Sequence, residues 1–296
     1  MIAPTDPPIQ AGVIGDPIAH SLSPQIHTYW CRKYGIDGEY QRIHVRPHEL
    51  EYRLIAIRDQ GFAGINVTLP HKVAIRQFLN SETDRARAIG AVNLITFNET
   101  GAHGDNSDGI GAFTHLKSVL QENDRQIAED RPVIIYGAGG AARAMSYQWL
   151  ISTRAPLILI NRTRKRANEL VSRLSEISDF RPRLTARAPD ELSPADYANA
   201  QGLINATVLG MHGETPLRFQ IGNLAPDAFV YDLVYTPLET PLLAAVRARG
   251  QLGIDGLGML LHQAVPAFDA FFGVRPMVDE DLRAHVIAAL NRPPQL

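Results

Sequence analysis

The sequence predicts an α/β protein of two units in series, each an alternation of strands and helices around a mainly parallel sheet. Three observations predict it. Short apolar runs alternate with helix-length segments along the 296 residues. Strands joined by helices of roughly ten or more residues pair in parallel and are covered on both faces. A polar stretch, "QENDRQIAEDR", interrupts this alternation and reads as a linker. Beyond it, the strand "VIIY" runs into a glycine turn and a helix, "GAGGAARA", in mid-chain. The length suits about two domains of ~150 residues each.

The elements follow in order. The lead-in "MIAPTDPPIQ" is proline-rich, with no basic start and no apolar core, and reads as a disordered tail. "AGVIG" is a short buried strand, and "SPQIHTYWCRKYG" a helix with Ser23 as N-cap, Pro24 at the first position and Gly35 as stop. "EYQRIHV" reads as a strand, "PHELEYRLIAIRDQG" as a helix and "AGINVTL" as a strand. A helix is expected from near Pro70, then the strand "AVNLITF". After the glycine turn come "PLILIN", the helix "TRKRANELVSRL", and the strands "GLINAT" and "AFVYDLVY". Two apolar-rich helices, from about Leu257 and about Asp279, close the chain.

Composition narrows the function classes. The apolar fraction of 45% supports two ordinary cores, and a net charge of −2 offers nothing to nucleic acid or an anionic membrane. Cys31 is the only cysteine, so neither an internal disulfide nor a cysteine-pair zinc site can form. His44 and His48 are four apart, but Pro47 breaks the helix that would align them, so no metal site is expected. No run is long enough to span a bilayer, and a soluble cytoplasmic protein is expected.

Gly137, Gly139 and Ala142 have the spacing G-x-G-x-x-A of a dinucleotide-binding turn. There the first glycine permits the tight turn and the second lets pyrophosphate approach the backbone. The alanine lets helix pack on strand, and phosphate rests on the helix N–H groups. The plainer alternative is an ordinary strand–turn–helix. The next strand ends at Asn161, where an NAD site would normally carry Asp or Glu for the ribose. Asn161 is neutral and "RTRKR" follows. Cations in a first helical turn oppose the dipole by roughly 0.3–1 kcal/mol each. A dianionic 2′-phosphate would offset that repulsion, which points to NADP; a merely solvated basic patch is the alternative.

Nine motifs stand in order from about Gly12 to the final helices. "GDPIAHSLSP", "GINVTLPHK", "IGAVN" and "GDNSDG" precede "YGAGGAAR", and "INRTRKRA", "INAT", "YDLVYTPLETPLL" and "DGLGMLLHQA" follow it. This ordered set closely resembles the shikimate dehydrogenase family. The resemblance implies NADPH-dependent reduction of 3-dehydroshikimate to shikimate, in the route to chorismate and aromatic amino acids. It implies two α/β domains around a cleft, the second a Rossmann-type doubly wound parallel sheet inserted before the final helices of the substrate domain. The expected boundaries are a substrate domain over 1–107, an NADP domain over 108–255 and returning helices over 256–296.

Carried over motif by motif, Ser21 and Ser23 would hold the substrate carboxylate. Asn66, Thr68, Asn93 and Asp108 would surround the ring hydroxyls, and Tyr235 and Gln263 would close the site. Lys72 and Asp108 match the catalytic pair. Gly137, Ala138, Gly139, Gly140 and Ala141 would cradle the pyrophosphate. Asn161, Arg162, Thr163 and Arg166 would take the adenosine end. Thr207, Gly256 and Met259 complete the cofactor set. Family members that use quinate often carry Thr at the second serine, so Ser23 implies a preference for shikimate. Singly, these residues have ordinary readings: a cap for Ser23, a turn for Asp108, a core tyrosine for Tyr235. His20, His71 and Cys31 receive no role. The expected partner is a small-molecule substrate, with a monomer or homodimer as the assembly. Competing readings are a quinate/shikimate dehydrogenase with relaxed cofactor use and a non-catalytic NADP(H) sensor.

Overall fold

The computed structural model describes residues 7–217 and 220–291. The chain divides into two compact units, one running to Ser107 and resuming at Gln263, the other Asp108–His262. The second crossing therefore falls inside a helix and later than the residue 256 read from the sequence. The proline-rich lead-in lies mostly outside the described residues.

The first unit opens with β1 (Ile9–Gly15), α1 (Ser23–Tyr34), β2 (Gly38–His44), α2 (Leu50–Asp59) and β3 (Gly64–Val67). It continues with β4 (Ser81–Glu82), α3 (Asp84–Ile89), β5 (Leu94–Asn98) and β6 (Gly101–Asp105). The sheet order is β2-β1-β3-β5-β6-β4. β1 is parallel to β2 and β3, whereas β5 is antiparallel to β3 and β6. The expected mainly parallel sheet is thus mixed, because β5 and β6 form a hairpin. Asn98 makes its turn by accepting the Thr100 N–H at 2.8 Å. "GAHGD" carries too few β-formers to announce a strand by itself. One face of the sheet buries Ile14, Ile43, Ile65, Val67 and Ile95 against Leu50, Leu54 and Ile57 of α2.

No α-helix follows Pro70; a 3₁₀ turn covers Ala74–Phe78 instead. The Lys72 carbonyl accepts the Val92 N–H at 2.7 Å, which diverts it from an α-helical ladder. Ser23 is likewise not a cap. It is the first residue of α1, behind Leu22, and its N–H donates to Ser21 Oγ at 3.3 Å. The helix ends where Gly35 turns left-handed.

The second unit contains α4 (Asp108–Glu122), β7 (Val133–Tyr136), α5 (Gly140–Ser152), β8 (Leu157–Ile160), α6 (Arg164–Leu174) and β9 (Leu184–Arg187). After these come α7 (Pro194–Asn199), β10 (Gly202–Asn205), β11 (Phe229–Asp232), α8 (Pro241–Arg247) and β12 (Leu252–Ile254). The crossing lies within α9 (Leu257–Phe272), and α10 (Glu280–Leu290) belongs to the first unit. The sheet is wholly parallel, in the order β12-β11-β10-β7-β8-β9. Counted from β7, this is the doubly wound order with its switch point between β7 and β10. Open α/β sheets bind ligands at the carboxyl ends of the strands at such a point. The stretch read as a linker lies inside this unit. Gln201 binds it through the Ala128 N–H and carbonyl, and Arg131 pairs with Asp227 at 2.6 Å.

Candidate active site

The glycine turn sits at the switch point. Gly137 has φ +120°, and its N–H donates to the Ile160 carbonyl at 2.7 Å. A side chain there would meet the Ala206 carbonyl at 2.7 Å, so the turn demands glycine. Gly139 differs: among the described residues an added Cβ would meet nothing within 4 Å. The space in front of it is open, as close approach by a pyrophosphate requires. Gly139 caps α5 without any side-chain hydrogen bond, and Gly140 and Ala141 open the helix. These N-terminal amides suit an anion. Ala138 and Ala142 are buried in the packing of turn on sheet.

At the end of β8, Asn161 Nδ2 donates to the Thr163 carbonyl at 2.9 Å and holds the loop that starts α6. Arg164 pairs with Glu191, whereas Arg162 and Arg166 are exposed and have no ion pair among the described residues. The basic cluster is therefore divided, with one arginine spent inside the unit. Thr207, after β10, donates to Asn205 Oδ1 at 2.7 Å and accepts the Leu209 N–H at 3.1 Å. A side chain at Gly256 would collide with the Leu233 carbonyl, so close packing accounts for that glycine. Met259 is buried three residues on, in α9.

Tyr235 lies on the loop after β11, and burial pushes its phenol pKa up. Asp232 organises this loop. Its Oδ1 accepts from Asn205 Nδ2 (2.9 Å) and the Val234 N–H (3.1 Å), and its Oδ2 from Thr240 Oγ1 (2.7 Å). Burial raises the Asp232 carboxyl above its usual range, while the three donors pull it back. Asp108 begins α4, where its carboxylate suits the positive end of the helix dipole, and it is buried.

In the first unit, hydrogen bonds join residues from four separate motifs. Asn66 on β3 donates from Nδ2 to the Asn93 carbonyl at 3.0 Å. Asn93 donates to Ser107 Oγ at 3.0 Å and to Gln263 Oε1 at 3.3 Å, and its Oδ1 accepts the Ser107 N–H at 2.8 Å. Thr68 follows β3, with its N–H on the Ile14 carbonyl at 3.0 Å. Lys72 is half-buried on the next turn, beside His71, whose ring nitrogen binds the Val45 carbonyl at 2.7 Å. His71 is thus a strut for the Lys72 loop. Arg42 Nε steadies the serine loop by donating to the Ser21 carbonyl at 2.9 Å.

Tyr40, His27, Ser107 and Asp232 stand outside the set of residues expected from the sequence. Ser107 and Asp232 stand inside quoted motifs, "GDNSDG" and "YDLVY", so position alone could have flagged them. Tyr40 and His27 carry no such signal. Cys31 is buried in α1 and its thiol is pushed up to about 11 by that burial, which makes it a poor nucleophile. Among the described residues no group of three or more His, Cys, Asp or Glu could hold a metal ion, and no helix is long and apolar enough to cross a membrane.

The chain is similar to known proteins in sequence and in structure. Residues 13–95 match the family model of the shikimate dehydrogenase substrate binding domain. The chain is 45% identical, over 94% of its length and 96% of the relative's, to a shikimate dehydrogenase (NADP(+)) of Rhodospirillum rubrum. Among solved structures, it resembles shikimate 5-dehydrogenase of Thermus thermophilus in complex with NADP(H) and shikimate. That match has a TM-score of 0.81 and 30% identity, covering 95% of this chain and 99% of the other. Quinate dehydrogenase of Corynebacterium glutamicum in complex with NAD matches with a TM-score of 0.86 and 30% identity, over 95% and 99%.

Proposed function

Because the chain belongs to the shikimate dehydrogenase family, we propose that it catalyses the reversible NADPH-dependent reduction of 3-dehydroshikimate to shikimate. The observation that carries this reading is the amide set of the first unit, where buried Asn66 and Asn93 and half-buried Gln263 are hydrogen-bonded into one array. Amides offer both donors and acceptors, as a polyhydroxylated ring requires. Ser21 and Ser23 bind the carboxylate from the start of α1, Thr68 and Asp108 add contacts to ring hydroxyls, and Tyr235 and Gln263 close over the ring.

The second unit fits NADP. The open space at Gly139 and the uncapped start of α5 receive the pyrophosphate, and Arg162 and Arg166 take the 2′-phosphate beside Asn161 and Thr163. Gly256 and Met259 flank the nicotinamide end, and Thr207 joins the cofactor set. When bound, NADPH supplies the hydride. The protein supplies the proton: Lys72 donates it to the substrate oxygen in reduction and recovers it in oxidation. Asp108 accepts from the substrate hydroxyl and orients the ammonium. We place the enzyme in the cytoplasm as a monomer or homodimer acting on a small molecule, with neither nucleic acid nor membrane as partner.

The same fold serves a quinate dehydrogenase with NAD, so the choice rests on Asn161, the arginines and Ser23. An initial-rate assay crossing shikimate and quinate with NADP and NAD tests it. Shikimate with NADP should dominate. Comparable kcat/KM for quinate with NAD would replace this reading with the alternative, and no turnover with any pair would favour a sensor.

A further inference from the structure

The Asn66 amide is clamped at both ends. Its Oδ1 accepts a 2.7 Å hydrogen bond from Tyr40 Oη, and its Nδ2 donates to the Asn93 carbonyl at 3.0 Å. A carbonyl only accepts, so it identifies the NH₂ end, and the phenol must then be the donor. One N–H of Asn66 is left to offer to a ligand.

Tyr40 is itself held in place. Its ring stacks on His27, with centroids 3.9 Å apart and planes 11° from parallel. His27 is wholly buried among Trp30, Phe268, Phe271 and Phe272, and neither ring nitrogen has a hydrogen-bond partner among the described residues. Burial keeps the imidazole neutral, its pKa lowered to about 3, so it serves as an aromatic plate.

We propose that Tyr40 is a positioning residue for the shikimate site: braced by His27, its hydroxyl holds Asn66 so that the amide meets a ring hydroxyl of the substrate as a donor. The inference rests on the substrate role given to Asn66 above. Without the phenol oxygen, the buried Oδ1 loses its partner. The amide then turns to recover one, and the donor leaves the substrate.

The test is a double-mutant cycle on Tyr40→Phe and Asn66→Ala in the full chain. Phenylalanine keeps the ring on His27 and removes only the hydroxyl. Tyr40→Phe should raise the KM for shikimate about three- to tenfold, the factor one hydrogen bond supports, with the KM for NADP unchanged. In the Asn66→Ala background it should add much less than in the parent, because Tyr40 acts chiefly through that amide, the Ser23 side chain being a second partner of its hydroxyl. The shikimate Kd, read from the ligand-induced shift in thermal midpoint, should follow the same pattern and reports only on folded protein. A Tyr40→Phe loss that multiplies the Asn66→Ala loss would overturn the proposal alone, as would a Tyr40→Phe enzyme with normal shikimate KM. An unchanged shikimate KM in Asn66→Ala would remove Asn66 from the substrate site and the proposal with it. An enzyme that turns over no shikimate in the first place would overturn the functional reading separately.

Discussion

Ser107 Oγ donates a 2.8 Å hydrogen bond to the carbonyl of Gln263, 156 positions further along the chain. These are the two residues at which the chain leaves the first unit and re-enters it. The Asn93 amide bridges both, so one hydrogen-bonded cluster ties the exit and the return to β5's entry.

Removing that tie should show as lost stability. Ser107→Ala deletes the donor to Gln263 and the acceptor for Asn93 in a site with no exposure. Leaving such groups unpaired costs about 1–3 kcal/mol. Ser107→Thr keeps the hydroxyl and should recover most of it. Denaturant unfolding of the three proteins decides the matter; a Ser107→Ala midpoint equal to the parent's would show that the tie carries no stability.

Cofactor choice should follow the division of the arginines. A hydrogen bond to a charged group contributes roughly 1.5–3 kcal/mol, so two arginines on a 2′-phosphate support a preference of about a hundredfold or more. Arg162→Ala with Arg166→Ala should abolish most of the NADP preference and leave NAD use nearly unchanged. Arg164→Ala should matter much less, because its guanidinium is engaged by Glu191. Steady-state kcat/KM for both cofactors measures this, and equal losses from all three arginines would refute the division.

For the chemistry, Lys72→Ala should lower kcat by about 10²–10⁴, the usual contribution of a positioned proton donor. The NADP dissociation constant should change little, since Lys72 belongs to the first unit. Asp108→Asn should also slow turnover, and the double variant should fall short of the product of the two losses. A Lys72→Ala enzyme with near-normal kcat would move the proton donor to another group.

Acid stability should depend on His27. Its pKa falls from 6.5 to about 3 on folding, through burial. Between these values the unfolded chain takes up a proton that the folded protein refuses. Stability from this group is therefore complete above pH 6.5 and is lost as the pH drops toward 3. The slope is about 1.4 kcal/mol per pH unit, or about 2 kcal/mol by pH 5. His27→Phe keeps a ring against Tyr40 and removes the titration, so its stability should fall less steeply between about pH 6.5 and 4.5. Identical slopes in chemical unfolding would exclude His27 as the cause.

What the sequence by itself determined is what neighbouring residues decide through backbone sterics and local periodicity. The glycine spacing at Gly137 is of this kind, since glycine is the residue that readily takes a φ of +120° and Ala142 follows five positions on. So are the end of α1 at Gly35 and the buried runs "VIIY" and "LILI" of the parallel sheet. The candidate site residues were legible as motifs, but the contacts that hold them were not. Tyr40 reaches Asn66 across 26 positions and Ser107 reaches Gln263 across 156, and no local pattern encodes either pairing. Only tertiary structure decided that β5 runs antiparallel to β3 and that Lys72 gives its carbonyl to Val92 instead of a helix. In each case a distant backbone group competed with the local partner, and burial, which leaves no water to satisfy the loser, settled which bond was made.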